Sequence, residues 1–373
     1  MQPDSLFQLF EAGSPLLAVL ALQAAQRGEL ELDSAVARHW PAFGAAGKAS
    51  LSVARLLEHC SGLGDVLPPN TKLAQLCDPA RMAACVAAAA PDANGAAAAA
   101  DGPRHEGAAW GWALHGLLES ATGLPLSRLL HERLLAPLGL AAHMCMSLPA
   151  AEAHCAVTHS VSGMLREAGM ELTDAFSSVG ARGSGEGEGE GGGRGEGGGD
   201  GGDGGGGGGE GGEGEGGEGG GGDGVASFLG MGQMQQLLNP ATLNMATLRA
   251  ACLPGASMHA SAHGLGSFYA ALASARPVLG PPLLPPALLA RASAATEGHW
   301  GLGLQRGAVG GGSRRLTALG HAATGGSVGF CVPARGVACA VLVSNLSSER
   351  RVTRRILAPL LADLDLGELQ GIS

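Results

Sequence analysis

Aromatic residues, lysine and tyrosine are scarce in this chain of 373 residues. Aromatic residues make up 3% of the sequence, the only lysines are Lys48 and Lys72, and the only tyrosine is Tyr269. A mechanism that needs a lysine or a tyrosine as its base must therefore use one of these three residues. Apolar residues nevertheless make up 45% of the sequence, which is ample for a buried core.

Long apolar runs and paired cysteines are also missing. No run reaches the about 18 apolar residues that a membrane-spanning helix needs, and no basic segment precedes the apolar run at 15–25, so neither a membrane span nor a signal peptide is predicted. The eight cysteines form no C-x-x-C pair and no zinc-type cluster with histidine. The sequence therefore predicts an intracellular protein with reduced thiols and without a metal or cofactor. A targeting signal upstream of Met1 is left open.

Glycine, by contrast, is abundant, and 30 of the 65 glycines lie between residues 180 and 224. The same tract holds eleven acidic residues against two arginines, which accounts for nine of the ten net negative charges. The rest of the chain is near neutral and has no basic footprint for nucleic acid. Because the tract has almost no side chains to bury, residues 178–224 are predicted to be a disordered Gly/Glu-rich insertion in a surface loop.

Hydrophobic patterning predicts a helical body followed by a small sheet. Ser14 and Pro15 ahead of an apolar run predict a buried helix that Ser14 caps and that ends near Gly28. Further helices are predicted at 51–58, 83–90, 112–121, 125–135, 261–273 and 352–364, and short strands at 300–306, 316–321, 327–332 and 337–345. Strands in succession favour an antiparallel sheet, so the expected class is α+β, with a single domain over 1–373.

Five segments of the chain resemble the serine β-lactamase-related superfamily, which includes class C β-lactamases, penicillin-binding proteins and related esterases. They are residues 28–43, 51–63, 116–140, 300–306 and 320–345. The resemblance implies a β-lactamase/transpeptidase-like α/β sandwich, in which helices flank an antiparallel sheet and a helical subdomain is inserted. Residues 39–48 and 253–273 look especially like the β-lactamase-like domain fused to UbiB-type atypical kinases in plants and algae, which implies a kinase-like domain in cis.

The resemblance also implies two strands ahead of the first buried helix, and these are missing here. We therefore expect either a fragment of a longer fused protein or a sheet edge that another segment or chain covers. A truncated or erroneous gene model, whose product does not fold alone, is a third hypothesis.

The catalytic residues that the resemblance implies are mostly replaced. Family members carry Ser-x-x-Lys at the start of the buried helix, where three-residue spacing lets the lysine amine activate the serine. Alignment back from Gly28 puts Glu11 at the serine position and Ser14 at the lysine position. The Tyr-x-Asn element falls on Gly107 and Ala109.

The third family element, Lys/His-x-Gly on a strand, falls on His321 and Ala323. His321 keeps the family's histidine, whereas the methyl group of Ala323 is expected to crowd that edge of the pocket. Of all these positions, only Ser14 and His321 retain a side chain that could be chemically active.

These replacements predict a β-lactamase-like domain that has lost its chemistry and acts as a binding, regulatory or vestigial module. The alternative is a divergent hydrolase that uses Ser14 with Glu11 or His321. His59 is interpreted as a structural residue of the 59–63 turn and Tyr269 as a packing residue. His105 and Glu106, beside the vacated Tyr-x-Asn position, are expected in a solvated loop.

Overall fold

The fold combines a large antiparallel sheet, a small one and a body of short helices. A computed structural model describes residues 2–64, 71–91, 105–167, 242, 244–274, 282–294, 299–311 and 315–372. The predicted insertion at 178–224 lies outside these residues. Within them, the succession of helices and then strands confirms the predicted α+β class.

Within the described residues, eight strands form two sheets. They are β1 (Phe7–Gln8), β2 (Met144–Cys145), β3 (His259–Ala260), β4 (Gln305–Val309), β5 (Leu316–Ala322), β6 (Val328–Val332), β7 (Val337–Val341) and β8 (Leu369–Gln370). The small sheet has the order β1-β3-β2 and the large sheet β7-β6-β5-β4-β8, with antiparallel pairing throughout. The strands predicted at 316–321, 327–332 and 337–345 are present as β5, β6 and β7. The strand predicted at 300–306 is displaced, because β4 covers 305–309 and residues 301–304 form bends. Strand β8 and the small sheet were not predicted.

Twelve α-helices lie within the described residues. They are α1 (Ser14–Gln26), α2 (Val36–His39), α3 (Val53–Leu57), α4 (Leu73–Leu76), α5 (Pro79–Ala88), α6 (Gly107–Thr122), α7 (Leu126–Leu130), α8 (Ser162–Glu167), α9 (Ala246–Ala250), α10 (Ala262–Ala273), α11 (Pro286–Ser293) and α12 (Arg351–Asp363). The predicted helix at 125–135 is α7 followed by a π-helical turn, His131–Leu135. No helix in the described part of the chain is long and apolar enough to cross a membrane.

Helix α1 lies at the centre of the core, as its uninterrupted apolar sequence predicts. Every residue from Ser14 to Ala24 is buried, which is expected of a helix that is apolar on all sides. The prediction that Ser14 caps this helix is wrong. A 3-10 turn, Phe10–Gly13, leads directly into α1, so Gly13 is the N-cap and the Ser14 side chain makes no capping hydrogen bond.

Helix α6 begins five residues earlier than its predicted start at Trp112, and this places Gly107 and Ala109 in its first turn. Gly111 lets the helix approach a neighbouring loop, because a Cβ there would lie 2.2 Å from the carbonyl oxygen of Pro254. This close contact fixes the first turns of α6 beside the segment that leads into β3.

Helix α10 packs on β6 and β7, where Tyr269 meets a glycine of the sheet. A Cβ at Gly329 would lie 2.3 Å from Cε2 of Tyr269, so only glycine admits the ring at this point. Tyr269 is fully buried, which confirms that it is a packing residue.

Candidate functional site

A strained backbone precedes Glu11, the first residue of the candidate site. Phe10 has a φ of +47°, a conformation that residues other than glycine adopt rarely and that tends to occur at functional sites. Glu11 follows in the turn that precedes α1, and its backbone carbonyl accepts a hydrogen bond from the N–H of Ser14. The site is therefore built where a buried helix begins.

The Glu11 carboxylate contacts the loop that follows β5. The backbone N–H of Thr324 donates a hydrogen bond to Glu11 Oε2 at 3.1 Å, and Thr324 Oγ1 lies 3.5 Å from Oε1. Desolvation lowers the pKa of Arg350, and the nearby Glu11 carboxylate opposes that shift. Glu11 thus brings a negative charge to the meeting point of α1, the end of β5 and the residue before α12.

Ser14 is buried at the next turn and does not form a catalytic pair with either predicted partner. Ser14 is only 4% exposed. Among the described residues, no hydrogen bond joins Ser14 Oγ to Glu11 or His321. The backbone of Gly255 lies close by, since a Cβ placed there would be 3.7 Å from Ser14 Oγ.

His321 lies near the end of β5 and is 1% exposed. Its Nδ1 lies 2.7 Å from the carbonyl oxygen of Ala322, which can only accept, so Nδ1 carries the proton in the neutral ring. Nε2 is buried without a partner among the described residues. Burial, followed by the charge of His105, lowers the pKa of His321 to about 3, so the ring is neutral at physiological pH.

Ala323 closes a tight turn after β5. It is fully buried, and its N–H donates to the carbonyl oxygen of Ser327 at 2.8 Å. Gly325 and Gly326 within this turn have φ values of +100° and +109°, which glycine tolerates without strain. The turn positions Thr324, the residue that contacts Glu11.

A cluster of aromatic rings joins the three segments that carry the predicted site positions. The His59 ring stacks on Trp110 at 4.6 Å and lies 4.1 Å from Trp300, measured between ring centroids. Trp300 in turn lies 5.8 Å from His105 and 5.3 Å from His321. The cluster therefore brings together the 59–63 turn, the start of α6 and the end of β5.

Glu106 contradicts the prediction that it lies in a solvated loop, whereas His105 is exposed as predicted. Glu106 is 4% exposed, and its carboxylate accepts hydrogen bonds of 2.7 Å from Ser61 N, Ser61 Oγ and Gly62 N. Burial raises the pKa of Glu106, and these hydrogen bonds oppose the shift. The 59–63 turn presents more backbone donors than it can satisfy itself, and a buried carboxylate from the start of α6 satisfies them.

His59 has the structural surroundings that the sequence predicted. Its Nδ1 accepts a long hydrogen bond of 3.4 Å from the backbone N–H of Glu106, so the neutral ring carries its proton on Nε2. Nε2 is buried and has no partner within the described residues. Burial and the charges of His105 and His321 hold the pKa of His59 well below its usual value.

Gly107 and Ala109 bring no reactive group to the site. Gly107 is exposed with a φ of +51°, and a Cβ there would meet no atom within 4 Å, so a larger residue would have space. Ala109 is completely buried. Their positions in the first turn of α6 lie just after His105 and Glu106, whose side chains do reach the cluster.

The two lysines are placed where they cannot serve this site. Lys48 is 2% exposed, and its amine donates hydrogen bonds to the carbonyl oxygens of Ala45, Ala87 and Ala89. Lys72 is exposed and precedes α4. In the described part of the chain, no three His, Cys, Asp or Glu side chains are grouped so that they could hold a metal ion.

The fold and site together define a β-lactamase/transpeptidase-like protein, as the sequence predicted. The sequence model of the Beta-lactamase family matches residues 1–363, and the chain belongs to this family. It is 32% identical over 135 residues to the protein named esterase/beta-lactamase LipL of Mycobacterium tuberculosis. That alignment covers 36% of this chain and 30% of LipL, so the chain spans about a third of the curated relative that it matches.

Solved structures support the same fold. A penicillin-binding protein homologue from Caulobacter crescentus has a TM-score of 0.61 and 22% identity, covering 93% of this chain and 80% of the other. A family VIII carboxylesterase has a TM-score of 0.62 and 19% identity, with coverages of 92% and 79%. EstA from Arthrobacter nitroguajacolicus Rue61a has a TM-score of 0.62 and 20% identity, with coverages of 98% and 87%.

Sequence reasoning missed three participants in the site. Thr324, Trp300 and Arg350 were not named as site residues, although Trp300 opens one of the segments that carry the family resemblance. Thr324 contacts Glu11 through its backbone N–H, which every residue except proline has, so the residue type does not reveal the contact. Arg350 has a φ of +54°, and a left-handed arginine cannot be recognised in a sequence without an obvious turn motif.

Proposed function

We propose that this chain is a catalytically degenerate member of its family that acts as a binding or regulatory module. The observation that carries the proposal is the hydrogen bond from Thr324 N to the Glu11 carboxylate. A backbone N–H beside the position of an attacking group is the kind of donor that stabilises a developing oxyanion. Here a permanent carboxylate already occupies it, and a carboxylate repels the negative charge that acyl transfer would create.

The available bases support the same conclusion. Serine needs an adjacent base to become a useful nucleophile, and the partners of such a unit act together, so losing one of them costs orders of magnitude in rate. Ser14 has no such hydrogen bond within the described residues, and the amine of Lys48 is bound by three carbonyl oxygens elsewhere. His321 keeps its Nδ1 proton on the Ala322 carbonyl and is screened from solvent.

A substrate panel tests this proposal. The names of the similar proteins suggest esters and β-lactams as probes, so we would use nitrocefin, a p-nitrophenyl ester and a fluorescent penicillin. We expect neither turnover nor covalent labelling, with an active serine β-lactamase as the positive control. Turnover that Ser14→Ala abolishes would instead support the divergent hydrolase that uses Ser14 with Glu11 or His321.

The same compounds test binding without chemistry. A ligand that binds only the folded state raises the melting temperature, and the rise grows with the ratio of ligand concentration to the dissociation constant. We expect such a shift to depend on the residues around Glu11 and therefore to change in Glu11→Gln, whereas Glu132→Gln on the exposed surface should behave as the parent chain. Equal shifts in both variants would argue against a ligand at this site.

We also propose an intracellular setting and a kinase-like domain in the same polypeptide. The support is the resemblance of residues 39–48 and 253–273 to the kinase-fused domains. Sequencing of the transcript upstream of Met1 tests it, and an open reading frame that encodes a kinase is the expected result. An in-frame stop codon directly upstream would contradict the fusion.

A further inference from the structure

A cleft of about 360 Å³ lies within the helical body of the molecule. It is enclosed by the segment 40–45 that follows α2, by helix α5 and by the middle of α6. None of its described lining residues belongs to the candidate site around Glu11. Small-molecule sites occupy about 300–1,000 Å³, so this cleft is large enough for a small ligand.

The walls of the cleft are apolar. Seven of the described lining residues are alanines, two from the segment that follows α2 and five from α5. The ring of Trp40 forms a further wall and lies directly against α6, where a Cβ at Gly116 would be 2.3 Å from Cη2 of the ring. Methyl groups and the face of an indole ring suit the hydrocarbon part of a ligand.

Hydrogen bonds hold these walls in place. The amine of Lys48 donates to the carbonyl oxygens of Ala45 and Ala87, which both line the cleft, and so ties the segment after α2 to α5. Ser120 Oγ donates to the carbonyl oxygen of His39 at 2.8 Å and ties α2 to α6. The cleft is therefore preformed, as small-molecule sites usually are.

The titratable groups of the cleft are His115 and Glu119, which lie one turn apart on α6. Leu126 N donates to Glu119 Oε1 at 2.8 Å, whereas Glu119 Oε2 makes a long contact of 3.5 Å with His115 Nε2. A carboxylate can only accept, so Nε2 carries the proton of the neutral ring and Nδ1 is an acceptor. His115 is 3% exposed, and its Nδ1 has no partner among the described residues.

This end of the cleft therefore presents acceptors and negative charge. Glu119 is the one charged residue among the described residues that line the cleft, and its side chain is 37% exposed, so a ligand can reach it from solvent. Burial lowers the pKa of His115, and the charge of Glu119 opposes the shift. An ammonium group carries three donors and no acceptor, so it matches this end, whereas an anion would be repelled.

We propose that the cleft binds a small primary amine with an apolar body. The ammonium group donates to Glu119 Oε2 and to His115 Nδ1, and the apolar body packs between Trp40 and the alanines of α5. The charged hydrogen bond fixes the orientation of the ligand, and burial of its hydrocarbon part adds affinity. This site is separate from the candidate site and does not depend on the proposed function.

Isothermal titration calorimetry of the full chain with phenethylamine tests the proposal. Phenethyl alcohol and hydrocinnamate carry the same phenyl ring and are the neutral and anionic analogues of this amine. We expect the amine to bind, and both analogues to bind at least about tenfold more weakly because they lack the charged donor. Absence of binding by the amine, or equal binding of the amine and either analogue, would overturn the proposal.

Charge removal locates the ammonium group. Glu119→Gln keeps an oxygen that can accept from Leu126 N but removes the charge, so phenethylamine should bind at least about tenfold more weakly. Glu132→Gln removes an exposed carboxylate elsewhere, is the matched control and should bind as the parent chain does. Unchanged affinity in Glu119→Gln would contradict the proposal. A loss in Glu11→Gln instead would place the amine at the candidate site and would also contradict it.

Filling the cleft locates the apolar body. Ala84 is exposed on α5 and lines the cleft, so Ala84→Leu should block binding while a good helix former is kept. Ala74→Leu, at an exposed position of α4 outside the cleft, is the matched control and should bind normally. Circular dichroism and a cooperative melt check that each variant is folded. A folded Ala84→Leu protein that binds phenethylamine as tightly as the parent chain would refute this assignment.

Discussion

The backbone N–H of Thr324 donates to the carboxylate of Glu11, and this bond links the turn after β5 to the turn before α1. The strained Phe10 places Glu11 at this spot, and Ala323 and Gly325 shape the turn that presents the donor. The carboxylate in this position satisfies a backbone donor on an exposed residue.

Restoring both members of the Ser-x-x-Lys pair should recover some reactivity. Glu11→Ser frees the N–H of Thr324 and supplies a hydroxyl, while Ser14→Lys supplies an amine three residues later on the same helical face. We expect the double variant to form a covalent adduct with a fluorescent penicillin, visible as a mass increase of the intact protein. Glu11→Ser alone and Glu11→Ser with Ser14→Ala should remain unlabelled, and equal labelling of all three would contradict the assigned register.

Glu11 should also control the titration of His105. Desolvation lowers the pKa of this imidazole, and the negative charge of Glu11 partly offsets the shift. Glu11→Gln removes that charge, so the pKa of His105 should fall further, which NMR of the imidazole protons measures. Glu119→Gln, whose partner is His115, should leave the His105 titration unchanged. A pKa that rises in Glu11→Gln would refute the placement of the carboxylate.

Loss of Glu106 should destabilise the fold. Glu106→Ala leaves the buried donors of Ser61 and Gly62 without an acceptor, which costs about 1–3 kcal/mol for each unsatisfied group. Glu106→Gln keeps one carbonyl oxygen as an acceptor and should therefore lose less stability than Glu106→Ala. Urea unfolding measures the differences, with the exposed Glu132→Ala as the control for removal of a carboxylate. Equal stability of Glu106→Ala and Glu132→Ala would contradict the role of Glu106.

Stability should decrease as the pH falls below about 6.5, the ordinary pKa of histidine. Burial lowers the pKa of His159 and His259 to about 4 and that of His321 to about 3. The unfolded chain therefore binds more protons than the native one between pH 6.5 and these values. Each such residue contributes stability that is fully present above pH 6.5 and is lost towards its native pKa, at about 1.4 kcal/mol per pH unit.

Urea midpoints at pH 7.5 and pH 5.0 measure this loss. His321→Gln removes one of the titrating groups and should reduce the difference between the two midpoints, whereas the exposed His263→Gln should not. A difference that is the same in both variants would show that His321 titrates normally in the folded protein.

Most strands of the large sheet could be predicted because their local sequence alone indicates a strand. Short β-branched runs between glycine-rich turns gave β5, β6 and β7 within a few residues, and the apolar run after Pro15 gave α1. The start of helix α6 could not be predicted from local sequence, because it depends on contacts with distant residues. The entry of α6 depends on Glu106, whose hydrogen bonds reach residues 44 and 45 positions away along the chain.

The candidate site was predictable in its residues but not in its contacts. Alignment with the catalytic elements of the family singled out Glu11 and His321, and the structure places both where α1 meets β5. Polar residue type suggested solvent for Glu106 and His105. His105 is exposed, although its ring lies beside Trp300, whereas hydrogen bonds from the 59–63 turn accompany the burial of Glu106. Ser14 shows the converse error, because the preceding 3-10 turn removed its capping role.

The enclosure of Lys48 has a practical consequence for labelling. The amine of Lys48 is held by three carbonyl oxygens and shielded from reagent, so Lys72 is the lysine side chain open to acylating dyes. An amine-reactive fluorophore would therefore label a single side chain, next to α4, in addition to the N-terminal amine. Lys72 is thus a nearly unique attachment site for one dye of an energy-transfer pair, and no engineered cysteine is required for that dye.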